Sequence, residues 1–172
     1  MPLRVASFFE QSAWANDRLI HVCESLTLDQ LEAAGRQSFD SIRETLVHLV
    51  ATEQRYIRRL GSEPFEEAVA EGDTPGFDLL RRALRANGEL LASMAASANE
   101  GWTIEGDTDY GVHFEGEAVV LLVQVLGHSA GHRQQIISML SAISAGPDGL
   151  DEQLDGWSWG EATGALRTHK TS

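Results

Sequence analysis

The sequence predicts an all-α protein, a four-helix bundle with one small hairpin or irregular loop before the last long helix. Three observations carry that prediction. Four long stretches repeat apolar residues with the helical period, and each is bounded by residues that start or stop helices. Strand-like composition is confined to one short segment between the third and fourth stretches. Amphipathic helices joined by short connections bury their apolar stripes most simply against one another.

The first helix is expected over about residues 3–25, with Val5, Phe8, Phe9, Leu19, Ile20, Cys23 and Leu26 on one face. The second opens on Ser41-Ile42-Arg43-Glu44, a capping-box pattern, and ends near Leu60-Gly61, where glycine can take the left-handed conformation. Its stripe is Ile42, Leu46, Leu49, Ile57 and Leu60. The third starts at Thr74-Pro75, an N-cap followed by proline in the first turn, and runs to about Asn99. Gly101 to Phe114 then contains two β-prone runs around Gly106-Asp107, a candidate hairpin. The fourth and longest helix runs from about Gly116 to Ser144 and stops at Gly146-Pro147. Residues 1–172 read as one domain, with its core at about 3–146 and a tail at 147–172 that carries Trp157 and Trp159 before fading into polar residues.

Composition excludes several classes. A net charge of −13, from 26 acidic and 13 basic residues, repels a phosphate backbone, and no basic stripe is interleaved with aromatics. Nucleic acid is therefore not expected as a partner, and the arginines Arg55, Arg58 and Arg59 read as a solvated face near a helix end. The longest apolar run, Glu117 to Gly127, is interrupted by Gln124 and too short to span a bilayer, so no membrane is expected. A single cysteine, Cys23, allows no intramolecular disulfide. An early acidic residue in the opening run argues against a secretory leader. Together these predict a cytoplasmic protein. Cys23 itself, amid Phe8, Phe9 and Leu19, reads as a small core residue.

The most informative local feature is His128 and His132, an i, i+4 pair in the fourth helix. Residues four apart in a helix point the same way within roughly 40°, so the two imidazoles stand side by side. Their stripe neighbours Leu121, Val125, Ile136 and Met139 offer no hydrogen bond, so the rings are either two ligands of a metal ion or core histidines with partners elsewhere. A catalytic site needs a third protein ligand and an open position. His113 falls in the hairpin, His169 in the tail and His21 on the polar side of the first helix. His48 lies within Leu46-Val47-His48-Leu49-Val50 of the second helix but roughly 140° from the centre of its stripe, facing a cleft rather than the core. Periodicity does not choose among the four.

Other residues carry open readings. Gln124 and Gln135 flank the histidine face and either orient ligands, line a pocket or serve as polar edge residues. Glu53 sits at the centre of the second helix's stripe, as a general base, a residue behind the ligands, or a carboxylate with a buried partner such as arginine. Asn16 interrupts the first stripe and is expected to bond within the core. Gly127 and Gly131 either permit close helix packing or leave room for substrate.

Three segments together resemble the DinB/YfiT-like superfamily of metal-dependent proteins: Trp14 to Ile20, Ser41 to Val50, and His128 to Ile136. The resemblance spans nearly the whole chain in order and spacing. It implies an up-down-down-up bundle, often dimeric, with one histidine on the second helix and the pair on the fourth, carried over here to His48, His128 and His132. Gln134 departs from the pattern, in which glycine often follows the His-Arg dipeptide. Three neutral imidazoles leave the full charge on a divalent ion, with zinc or nickel favoured. Members of the superfamily include transferases that use low-molecular-weight thiols. By that likeness the metal activates a thiol toward a small-molecule electrophile, with Arg133 a candidate for a substrate carboxylate. Two other readings stand beside it. One is metal-assisted hydrolysis, with Glu44 or Glu53 as the base. The other is a non-catalytic metal-binding or stress-response protein whose acidic surface and off-stripe Trp14 mark a partner or dimer interface.

Overall fold

A computed structural model of the chain describes residues 4–32, 41–62, 65, 67–108 and 110–168. Among these it holds seven helices and one two-stranded sheet, an all-α architecture. The four long helices are α1 (Ala6–Glu24), α3 (Ile42–Arg59), α4 (Phe77–Ser97) and α5 (Ala118–Ala142), with α2 (Leu28–Leu31) a single turn after α1. Strands β1 (Thr103–Asp107) and β2 (His113–Glu117) pair antiparallel, from Thr103 opposite Glu117 to Asp107 opposite His113. The hairpin between the third and fourth long helices is thus borne out. It feeds straight into α5, where the Ala118 amide donates to the Trp102 carbonyl at 2.9 Å.

Local chemistry sets the ends of α3. Ser41 Oγ accepts from the Glu44 amide at 3.1 Å, and Arg58 and Arg59 sit in the last turn, at the negative end of the helix dipole. Gly61, at φ 95°, takes the left-handed turn-out. The third long helix departs from the expected start. Its cap is Gly76 rather than Thr74, and the Gly76 carbonyl accepts the first bonds, from Leu79 and Leu80. Thr74 and Pro75 lie before the helix; Phe77, packed against the core, opens its first turn.

Packing follows the stripes. Helix α1 lies against α4 and α5, and α3 lies against α4 and α5. One cluster gathers Leu19, Ile20, Ile42, Leu46, Leu80, Ile136 and Leu140 around the fully buried Cys23; a second joins Phe9, Ile57, Leu91, Leu122 and Val125. Cutting a side chain such as Ile42 or Ile136 to alanine at these sites costs about 2–5 kcal/mol. Cys23 is therefore the core residue it was read as, and burial pushes its thiol up to about 12.

The tail does more than fade. Helices α6 (Leu150–Gln153) and α7 (Gly156–Thr163) fold back, with Leu150 and Leu154 in the core and α7 against α1. Gln11 Nε2 of α1 holds the Leu154 carbonyl at 2.9 Å. Trp159 faces a cleft beside Phe8 and Gln11 of α1, and Trp157 is exposed. No described helix is long and apolar enough to cross a membrane.

Candidate metal centre

The contact between α3 and α5 brings together three residues 80 or more positions apart in the chain or one turn apart on one helix. His48 of α3 meets His128 of α5 with their Nε2 atoms 3.2 Å apart, and His132 Nε2 is also 3.2 Å from His128 Nε2. One ligand atom from each ring lies within 4.8 Å of the others. All three rings are half-buried. His48 takes this place because it lies off its apolar stripe: Leu46 and Leu49 point into the core while the ring turns towards α5.

The donor set fits a divalent ion. Two nitrogens about 2.0–2.1 Å from one zinc at a tetrahedral angle lie about 3.3–3.4 Å apart. The two 3.2 Å spacings match that edge closely. Three imidazoles packed this close, all through Nε2, repel one another when protonated and have lone pairs to share with a cation when neutral.

The surroundings keep them neutral. Burial, reinforced by the neighbouring His132 and His48, pushes the His128 imidazole down to about 4. His48 is lowered by burial and by His132, against the pull of Glu71. His132 is lowered by burial, opposed by its bond to Gln135. At neutral pH each ring therefore holds one proton. On His132 that proton sits on Nδ1, which donates to Gln135 Oε1 at 3.0 Å and leaves Nε2 unprotonated. On His48, Nδ1 faces the Glu71 carboxylate at 3.3 Å, and Arg55 Nη2 grips the same oxygen at 2.5 Å. That arginine holds Glu71 below the ordinary carboxylate range. A carboxylate behind a ligating histidine fixes the ring and raises its basicity.

The other candidates sort by position. Gln135 touches the cluster through His132, whereas Gln124 is exposed. Glu53 is fully enclosed among Asn16, Asn87 and Ser129, with the Arg133 charge close by. Burial pushes its carboxyl up, opposed by those donors and by Arg133. The buried-partner reading of Glu53, and the core reading of Asn16, match this geometry. Arg133 is turned inward to Ser12 and Asn16, both at 2.9 Å, rather than towards a substrate. Glu44 is exposed and bonded to Ser41. Trp14 is half-buried beneath the Arg18 guanidinium, 5.1 Å from the ring centre. His21 and His113 are exposed and paired with Glu24 and Asp107; His169 lies outside the described residues.

The close-packing reading of the two glycines needs correction. Gly127 and Gly131 are exposed, and an added Cβ at either meets nothing within 4 Å, so neither serves close packing. The close approach is at Gly88 of α4, where an added Cβ would stand 2.4 Å from the Ala13 Cβ of α1. Sequence reasoning also missed Glu71, Asn87 and Ser129. Asn87 carried a usable signal, a polar side chain at a buried position between Leu84 and Leu91.

A mostly helical protein with two neutral histidines on one helix, a third on its neighbour and a carboxylate behind that third ring is, by class, a helical protein able to hold a divalent metal. The profile of the DinB family matches residues 1–161, and the chain belongs to that family. No curated protein matches the chain.

Proposed function

We propose that this protein is a metal-dependent enzyme whose divalent ion, zinc or nickel, is held by His48, His128 and His132. The observation that carries the reading is the convergence of three imidazoles, with His48 and His132 Nε2 each 3.2 Å from His128 Nε2 and one ligand atom of each ring within 4.8 Å of the others. Such an ion, held by neutral ligands alone, keeps its positive charge and acts as a Lewis acid that lowers the pKa of a bound thiol or water. The chain's own residues supply the rest. Gln135 keeps the His132 lone pair directed at the centre, Glu71 sets a negative charge 3.3 Å behind His48 Nδ1, and Arg55 keeps Glu71 charged.

Of the two carboxylates read as a possible base, Glu53 is committed to its own bonds and Glu44 is exposed and bonded to Ser41. Hydrolysis of an ester or amide needs a positioned proton carrier, whereas a thiol loses its proton once and then attacks. The likeness to members that use low-molecular-weight thiols favours transfer of such a thiol to a small-molecule electrophile, with metal-assisted hydrolysis as the second reading. The reading extends to a single bundle domain of the four long helices, to a reducing, cytoplasmic setting suggested by the lone buried cysteine, and to no role for nucleic acid, given the acidic charge. Self-association as a homodimer draws support from exposed Val119, Val120 and Val123 on α5, and the molar mass in solution tests it.

The experiment is elemental analysis of purified, tag-free protein beside His48→Ala and His132→Ala. About one zinc or nickel per chain, lost from both variants while circular dichroism stays helical, supports the centre. Cobalt-substituted protein whose absorption shifts on adding a thiol then supports transfer. No metal in the wild type, even after reconstitution, refutes the enzyme reading.

A further inference from the structure

We propose that Glu53 is a positioning residue for the three-histidine centre, holding α5 in the one register against α3 that brings the rings together. The inference rests on the metal-centre reading but concerns residues that never touch the rings.

Glu53 is 3 % exposed, and its side chain accepts three hydrogen bonds. Asn16 Nδ2 of α1 donates to Oε1 at 3.0 Å, Ser129 Oγ of α5 to the same oxygen at 2.6 Å, and Asn87 Nδ2 of α4 to Oε2 at 3.2 Å. Arg133 Nη1 of α5 closes the circuit through Asn16 Oδ1 and Ser12 Oγ, both at 2.9 Å. One carboxylate on α3 thereby ties together all four long helices.

The sequence positions tell what the ties do. Ser129 directly follows His128, and Arg133 directly follows His132. Successive residues in a helix diverge by about 100°, so each α5 ligand faces the metal centre while its successor reaches inward to this network. Glu53 lies five residues after His48, about 140° around α3, and so on the inner side as well. The histidines and the Glu53 network are thus two sides of one α3–α5 contact. Both the axial position and the rotation of α5 are held from within.

The tolerance is small. Metal–ligand distances are met within about 0.2 Å, whereas sliding one helix by a single residue moves its side chains about 1.5 Å. Apolar side chains alone tolerate such adjustments, and a buried polar group is no efficient source of stability compared with a well-packed apolar one. A directional carboxylate that must satisfy Ser129, Asn16 and Asn87 together accepts one arrangement.

The test is Glu53→Gln, which keeps the volume but sets an amide N–H against donors, with Ser129→Ala as a milder variant that deletes one tie. Leu80→Ala, in the core away from the network, is the control for destabilisation alone. Affinity for zinc alone is measured by competition with a chromophoric chelator. In the metal-free protein, NOEs between the His48 and His128 ring protons are recorded. A zinc affinity about tenfold or more weaker in Glu53→Gln, an intermediate loss in Ser129→Ala, weakened ring NOEs in both, and an unchanged affinity in a still-folded Leu80→Ala are expected. Wild-type affinity and intact ring NOEs in Ser129→Ala and in folded Glu53→Gln overturn the proposal, even with a lowered melting temperature. Should Glu53→Gln fail to fold, Ser129→Ala decides alone. Should wild-type protein bind no zinc, the metal reading fails by itself, and the ring NOEs still decide whether Glu53 positions the histidines.

Discussion

Replacing Gly88 with alanine sets two effects of opposite sign against each other. In an exposed helix interior the change stabilises by about 1 kcal/mol, because alanine is the better helix former and loses less backbone entropy on folding. At Gly88 the added Cβ would lie 2.4 Å from the Ala13 Cβ, against the 3.5–4.0 Å at which carbon atoms rest, so α1 and α4 must separate by about 1 Å. The obstructing methyl has no flexible end to swing aside. Overpacking of this kind costs about 1–3 kcal/mol, and so rigid a contact belongs at the upper end. The net is a loss of about 2 kcal/mol, or about 4–8 °C in Tm for a chain of this size. Separation of the two helices also pulls Asn16 and Asn87 away from Glu53, so zinc affinity falls with stability. Gly131→Ala is the matched comparison: nothing lies within 4 Å of its Cβ, and a gain of about 0.5–1 kcal/mol, or about 1–4 °C, is expected. Differential scanning calorimetry of both variants checks the pair. A Gly88→Ala protein as stable as wild type would refute the argument that this close approach governs the α1–α4 contact.

Three further outcomes follow from the site and core. Glu71→Gln removes the charge behind His48 and is expected to weaken zinc binding about tenfold with little change in Tm, measured by chelator competition; an unchanged affinity refutes its role. In metal-free protein the folded His128 binds a proton with a pKa of about 4 against the ordinary 6.5, so the unfolded chain holds more protons between those values. The His128 contribution to stability is therefore constant above about pH 6.5 and is lost as pH drops towards 4; urea titrations at pH 7.5 and 5 should show a smaller drop in His128→Ala than in wild type, and equal drops refute the assignment. Cys23, with its thiol pushed up to about 12 inside the core, should resist a disulfide reagent in the native state and react fully in urea; rapid native labelling refutes its placement.

The helices were legible because their signals are local. Ser41, Gly61 and the repeating leucines act on their own few turns, and α3 and α5 run within a few residues of the expected ends. The i, i+4 pair His128 and His132 was legible for the same reason. His48 was not chosen by periodicity, since its partners lie on a helix 80 residues away; family resemblance supplied it. Glu71 left no trace because it approaches His48 from the connection between α3 and α4, whose path no periodicity encodes. Glu53 announced itself as a carboxylate on an apolar stripe, but its partners come from three other helices. Glycine spacing misled for a related reason. A repeat of Gly127 and Gly131 tells which side they face, and only the packed structure tells whether anything stands there.

The division of the three histidines between α3 and α5 also orders events in time. An unfolded chain offers an ion at best His128 and His132, a pair that forms as soon as α5 does, while His48 joins only when two segments 80 residues apart have docked. A two-ligand grip is weak and a three-ligand grip strong, so the ion's full hold is acquired only once α3 and α5 have docked; if that docking follows the folding barrier, a kinetic signature results. Refolding rates should then be nearly indifferent to zinc, and unfolding rates should slow in proportion to how tightly the ion is held. In such a protein the metal acts as a latch rather than a nucleus.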